Sequence, residues 1–287
     1  MKYTTFLFIP FFILFLQACN MVNPKESIPT YIEIDSVHLQ STLPSIHGTV
    51  SHKITDVWVY YERQLIGAYQ LPAKVPVITD HRGQLQVIAG IYEDGLSGIR
   101  AKYPFYSVDT FSFDPNPTNT IAHIPTFIYR TVDTPATTYF VEDFEQGNSF
   151  EKFGGDTTFV KTNEAADVFE GSWSNKLLLF DTITSGKCVT VQEFTLPSDK
   201  MCYVELNYKN DIPFVIRTEI GFGGLRSTLD MTGVNRSSTW GKIYFNFGRY
   251  VATYPNAKFR FVIEAALPAG STTGKILIDN FKVIHFQ

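Results

Sequence analysis

Five side chains in the second half of this sequence carry the chemistry of a sugar-binding surface: Tyr203, Asn207, Arg217, Tyr244 and Arg260. Strand phase sends all five outward. Where Cys202, Val204 and Leu206 share one face, Tyr203, Glu205 and Asn207 take the other. Phe245 and Phe247 turn in, so Tyr244 and Asn246 turn out. Phe259, Phe261 and Ile263 turn in, so Arg260 and Glu264 turn out. With Phe214, Ile216 and Thr218 on the core side, Arg217 and Glu219 face away. Sugar rings stack on aromatics, and their hydroxyls pair with amides and bidentate charge. The competing reading is the ordinary solvated face of an antiparallel sheet. Trp173 and Trp240 fall in or near loops, where they either meet ligand at a sandwich rim or pack inward.

Catalytic patterns are missing. His38, His47, His52, His81, His123 and His285 have neither paired helical spacing nor cysteine partners for zinc. The sequence holds no G-x-S-x-G elbow, no H-E-x-x-H and no phosphate-binding glycine loop. Gly221-Phe222-Gly223-Gly224 follows a strand with no helix after it and reads as a hairpin loop. Only a glycosidase carboxylate pair, whose spacing is spatial, escapes such a test. The expectation is a protein that is not an enzyme. A formal net charge of −4 without a Lys/Arg cluster gives no footprint for nucleic acid.

The N-terminus addresses the chain. Lys2 precedes an apolar run from Phe6 to Leu16, followed by Leu16-Gln17-Ala18-Cys19, the layout of a secretory signal. These last four residues resemble a bacterial lipobox. The resemblance implies that residues 1–18 are removed and that Cys19 carries a diacylglycerol thioether. Two or more acyl chains would then hold the protein on the membrane. Residues 19–29, rich in Asn, Pro and Ser, read as a tether. An outer-membrane location is expected, with the periplasmic or extracellular face left open, since only Lys25-Glu26 hints at an acidic run.

The elements that must position these residues are strands. With Phe 25 and Tyr 15, recurrent Thr, Val and Ile, and no sustained 3.6-residue period, the chain reads as all-β. Residues 30–131 form an expected immunoglobulin-like β-sandwich, with strands near 31–35, 54–61, 65–69, 84–92 and 105–113. Glu93-Asp94-Gly95 is a hairpin signal. Pro115, Pro117, Pro125 and Pro135 mark an extended crossing. Residues 132–287 form an expected jelly-roll β-sandwich of eight strands, at 139–144, 176–181, 188–196, 201–208, 214–221, 242–247, 258–265 and 275–285. Cys202 points to the core. Cys188 needs a bulge near Glu193 to settle its phase, so a disulfide and two buried thiols both stay open.

The second half resembles the galactose-binding-like jelly rolls of carbohydrate-binding modules. It does so through Glu142-Asp143-Phe144-Glu145-Gln146-Gly147, Gly171-Ser172-Trp173-Ser174-Asn175-Lys176-Leu177 and Lys275-Ile276-Leu277-Ile278-Asp279-Asn280-Phe281. That resemblance implies a structural Ca²⁺ where Glu142, Asp143 or Glu145 meets Asp279, with main-chain carbonyls completing the shell. The first half resembles an N-terminal module of Bacteroidota outer-membrane lipoproteins. The stretches are His52 to Tyr60, Leu65 to Pro72, Ala89-Gly90-Ile91 and Tyr103-Pro104-Phe105-Tyr106. That family carries no mechanism to import. The expected function is a binding or scaffolding subunit of an outer-membrane complex, with an envelope protein as partner. The alternative is a lipoprotein that captures glycans through its jelly roll.

Overall fold

The structure, a computed structural model, describes residues 26–130 and 137–287. The signal segment, Cys19, most of the tether and residues 131–136 of the interdomain crossing, with Pro135, lie outside the described residues. Among the described residues no helix is long and apolar enough to cross a membrane.

The chain is all-β and forms two sandwiches. The first holds β1 (Thr30–Ile34), β2 (His38–Gln40), the one-turn helix α1 (Pro44–His47), β3 (Asp56–Tyr61), β4 (Gln64–Gln70) and β5 (Ala73–Val77). It continues with β6 (Gly83–Tyr92), β7 (Arg100–Lys102), β8 (Val108–Phe113), β9 (Thr120–Ala122) and β10 (Thr126–Ile128). One layer joins β5-β1-β9 and the short pair β10-β2; the other joins β4-β3-β6, with β8 and β7 end to end along the free edge of β6. The arrangement is immunoglobulin-like. Strict alternation builds its core, since Ile32, Ile34, Val57, Val59, Val75, Leu85, Val87 and Ala89 are all buried. Glu62 and Arg63, both at positive φ, make the tight turn from β3 to β4.

The second sandwich is a jelly roll of twelve strands: β11 (Thr137–Glu142), β12 (Phe150–Gly155), β13 (Val160–Thr162), β14 (Ser174–Phe180), β15 (Ser185–Thr190) and β16 (Phe194–Thr195) come first. Then follow β17 (Cys202–Asn210), β18 (Phe214–Phe222), β19 (Leu225–Val234), β20 (Ser237–Asn246), helix α2 (Gly248–Thr253), β21 (Lys258–Ala266) and β22 (Thr273–Phe286). The front sheet runs β13-β14-β22-β17-β20, with β11 on the far half of β22. The back sheet runs β12-β15-β21-β18-β19, with β16 also on β21. Phe247, Phe259, Phe261 and Phe281 fill the space between the sheets, mostly edge to face.

Eight expected strands become twelve. The expected strand 188–196 is broken: β15 ends at Thr190, Val191 is exposed, and pairing resumes at Phe194. That break lets Cys188, Phe194 and Leu196 share the core. Cys188 and Cys202 are both free, fully buried thiols. Burial pushes both thiols up, which leaves them unreactive.

The two sandwiches are fused rather than strung together. Tyr203, Tyr244 and Ile284, on the outer face of the front sheet, belong to the hydrophobic core of the first sandwich. They pack with Tyr103, Phe105, Tyr106 and Tyr129 of the first sandwich, and Phe105 lies 4.6 Å, ring to ring, from Phe286.

Candidate functional site

The five expected sugar-binding residues divide between two faces of the jelly roll. Tyr203, Asn207 and Tyr244 are 4%, 2% and 1% exposed, because the first sandwich stands on them. The Tyr203 hydroxyl donates to Glu93. The Tyr244 hydroxyl accepts the Lys53 N–H at 2.9 Å and pairs with the Tyr106 hydroxyl at 3.1 Å. Asn207 Oδ1 accepts from the Ser51 hydroxyl at 2.9 Å. The turn of Asp94 and Gly95, both at positive φ, adds a main-chain bond from Asp94 N–H to the Tyr244 carbonyl at 2.8 Å. Strand phase placed these residues outward correctly, but outward here means into another domain. As a ligand platform they are a correction: no glycan reaches them while the sandwiches stay joined.

A buried carboxylate sits at the centre of this seam. Glu205 is fully buried and accepts from Lys242 Nζ at 2.6 Å, from the Tyr129 hydroxyl at 2.9 Å and from the Tyr103 hydroxyl. Burial alone would raise its carboxyl, but Lys242, Lys282 and the tyrosine donors outweigh that and hold it below the usual range. Lys242 also donates to the Ser51 carbonyl at 2.9 Å. Lys282 Nζ donates to the Tyr129 hydroxyl at 3.2 Å. Burial, with repulsion from Lys242, pushes Lys282 down to about 7. His47 of α1 is buried against Tyr129 and Tyr139, and burial lowers its pKa as well.

The back sheet keeps its outer face open, and Arg217 and Arg260 lie on it. Both are held in ion-pair chains. Arg217 is ion-paired with Glu264 at 3.2 Å and also pairs with Asp230, while Lys187 meets Glu264 at 3.2 Å. Arg260 bonds Glu219 at 2.6 Å and Glu151 at 2.9 Å, and Arg226 joins Glu219 at 2.9 Å. A bulge between Lys152 and Gly154 lifts Phe153 out of the ladder. Its ring is flanked by Lys187 Nζ at 5.2 Å and the Arg260 guanidinium at 5.4 Å.

At the end of this face lies an open groove of about 440 Å³, lined by Gly155, Ser185, Lys187, Val215, Gly233 and Glu264 among others. Gly233 borders it, and a Cβ built there meets nothing within 4 Å. Lys187 and Glu264 supply a donor and an acceptor beside apolar Val215 and Ala266, a mixture suited to a hydroxylated ring. Lys187, Phe153 and Gly233 were not found by sequence reasoning. The bulge breaks the alternation of β12, and β19 alternates too weakly to read as a strand.

The residues expected to hold calcium are each engaged by protein donors. Glu142 accepts the N–H groups of Phe144 at 2.7 Å and Ser149 at 2.8 Å. Asp143 accepts that of Glu145 at 3.1 Å, and Glu145 accepts those of Ser172 at 2.8 Å and Trp173 at 2.9 Å. Asp279 accepts the Ser174 hydroxyl at 2.5 Å, and burial raises its carboxyl to about 7. Among the described residues no group of three or more His, Cys, Asp or Glu is arranged to hold a metal ion. As folded, these carboxylates do not fit a calcium cage. Of the loop tryptophans, Trp240 packs on Phe169 at 5.2 Å and Trp173 lies under Lys161 Nζ at 4.8 Å.

No protein-family model and no curated protein matches the chain. Among solved structures, half of the chain is similar to a family 11 carbohydrate-binding module from Clostridium thermocellum in complex with a beta-1,3-1,4-mixed-linked tetrasaccharide. The identity is 11%, covering 51% of this chain and 94% of that one, with a TM-score of 0.35. TmCBM61 in complex with beta-1,4-galactotriose is similar at 14% identity, covering 50% of this chain and 86% of that one, with a TM-score of 0.29. The K1 cleaved adhesin domain of Lys-gingipain from Porphyromonas gingivalis is similar at 14% identity, covering 51% and 97%, with a TM-score of 0.34. Scores this low add no argument about the site, which rests on the geometry above.

Proposed function

We propose that the protein is a lipid-anchored, non-catalytic envelope protein that binds a glycan on the open face of its jelly roll. The supporting observation is the groove beside Lys187, Glu264 and Gly233, on the one large face of the jelly roll that the first sandwich leaves clear. In this reading Cys19 supplies the membrane anchor, and the first sandwich braces the binding domain. The groove's volume falls in the range of small-molecule sites, roughly 300–1,000 Å³. Gly233→Trp starts an indole at the groove wall, where a Cβ meets nothing within 4 Å. Calorimetric titration with a panel of neutral and acidic polysaccharides should show binding that Gly233→Trp weakens by at least about tenfold. Its thermal midpoint should stay that of the parent. Equal binding by the variant, or no binding by the parent, overturns the reading.

A second reading, a subunit of an outer-membrane complex, draws on the hairpin tip between β18 and β19. Phe222 and Leu225 stand there 50% and 78% exposed. Crosslinking in whole cells followed by pull-down should recover a stoichiometric membrane partner, and Leu225→Ser should release it. Recovery of the protein alone sinks this reading.

A further inference from the structure

We infer that two copies of this chain pair through strand β19, antiparallel and in one register, so that the back sheet runs on across a dimer. β19 ends the back sheet, and among the described residues it pairs with β18 alone. It is 10 residues long and has neither Pro nor Lys, the usual guards of a sheet edge. The front sheet's equally long edge, β20, is partly closed by Glu93 and Asp94 of the first sandwich, which bridge to Tyr244 through the main chain.

The hairpin turn fixes which groups the edge of β19 offers. Gly223 and Gly224, both at positive φ, make a two-residue turn, so Phe222 and Leu225 close the ladder as a hydrogen-bonded pair. Alternation then points the N–H and C=O groups of Arg226, Thr228 and Asp230 away from β18. The Tyr250 hydroxyl meets one of them, donating to the Asp230 carbonyl at 3.3 Å, and leaves that oxygen a second lone pair. Beyond Asp230 a bulge at Met231 ends the regular edge. Thr228 is the midpoint of the run.

Charge says what fits there. The side chains of Arg226, Thr228 and Asp230 share the outer face of the back sheet, opposite Gly221, Glu219 and Arg217 of β18. In an antiparallel pair with its twofold axis at Thr228, each Arg226 stands opposite the partner's Asp230. Moving the axis to Arg226 or to Asp230 sets like charges face to face. The edge is thus complementary to itself in one register. Arg226 already meets Glu219 at 2.9 Å and also Glu193, and Asp230 meets Arg217. The new pairs carry that alternation of charge from one copy into the next. The pairing also covers Leu225, which a single copy leaves 78% exposed. Because the axis stands perpendicular to the sheet, both outer faces look the same way. On the glycan reading above, the two grooves then lie on one side of the dimer and can hold one long chain at two points.

The test is sedimentation equilibrium of the whole protein without ligand, so its outcome does not depend on the groove. The parent should form a reversible, concentration-dependent dimer. Arg226→Glu and Asp230→Arg each set like charges opposite one another and should weaken self-association by at least about tenfold. Mixed in equal amounts, the two variants bring opposite charges together at both positions. They should associate with each other as tightly as the parent does with itself, and each should keep a cooperative melting curve. A parent that stays monomeric at every concentration overturns the inference. So does a dimer that either variant leaves intact, or a mixture that stays monomeric.

Discussion

The two outer faces of the jelly roll begin with similar residues and end with opposite fates. Each carries outward carboxylates, cations and aromatics at period two. On the front sheet Glu205, Lys242 and Lys282 are sealed beneath the first sandwich among Tyr103, Tyr106 and Tyr129. On the back sheet Glu264, Lys187 and Arg217 keep side-chain exposures of 35%, 26% and 28%. The difference lies in what covers the ions. A covered ion pair fixes one docking geometry, because every alternative strands a charge. A wet ion pair costs little to break and can be traded for a ligand.

The comparison can be broken at its strongest point by Glu205→Ala. That change leaves two buried ammonium groups without their carboxylate and should lower stability by about 3–5 kcal/mol in urea denaturation. A loss under about 1 kcal/mol would mean that the seam is no more than a wet surface contact. Tyr244→Phe removes the hydroxyl that accepts the Lys53 N–H and pairs with Tyr106. It should cost about 1–3 kcal/mol, the usual penalty for unsatisfied buried groups.

Lys282 sharpens the contrast through pH. Its ammonium titrates near 7 when folded, well below the ordinary lysine value of 10.5. Between those values the unfolded chain holds the extra proton. Stability relative to Lys282→Met should therefore rise with pH from about 7 to about 10, by up to about 1.4 kcal/mol per pH unit. Below 7 the difference between the two proteins should level off. Denaturation midpoints of both proteins across that range check the sign, and a pH-independent difference rules out a depressed lysine. The smallest effect belongs to the open face. Glu264→Ala breaks pairs with Arg217 and Lys187 and should cost less than about 1 kcal/mol, because all three side chains stay partly exposed.

The inward and outward sets of β17, β18, β20 and β21 were legible in the sequence, since alternation reports which side of a strand a residue takes. Alternation is silent about what stands over that side. Tyr203, Asn207 and Tyr244 therefore read as a platform although they are a floor. β12 and β19 stayed hidden for other reasons. The bulge at Phe153 breaks the first, and β19 is an edge strand with little buried on either side.

Strand β22 centres the front sheet, and its outward residues Lys282, Ile284 and Phe286 help to roof the tyrosines of the first sandwich. It follows every other described strand in the chain. During synthesis, then, Tyr103, Phe105, Tyr106 and Tyr129 emerge packed on one another but without the jelly-roll surface that covers them. Their cover is whole only once the chain has been made through residue 286. The first sandwich is complete only after the last strand arrives, so the burden of keeping those rings from other chains falls on whatever escorts the nascent polypeptide.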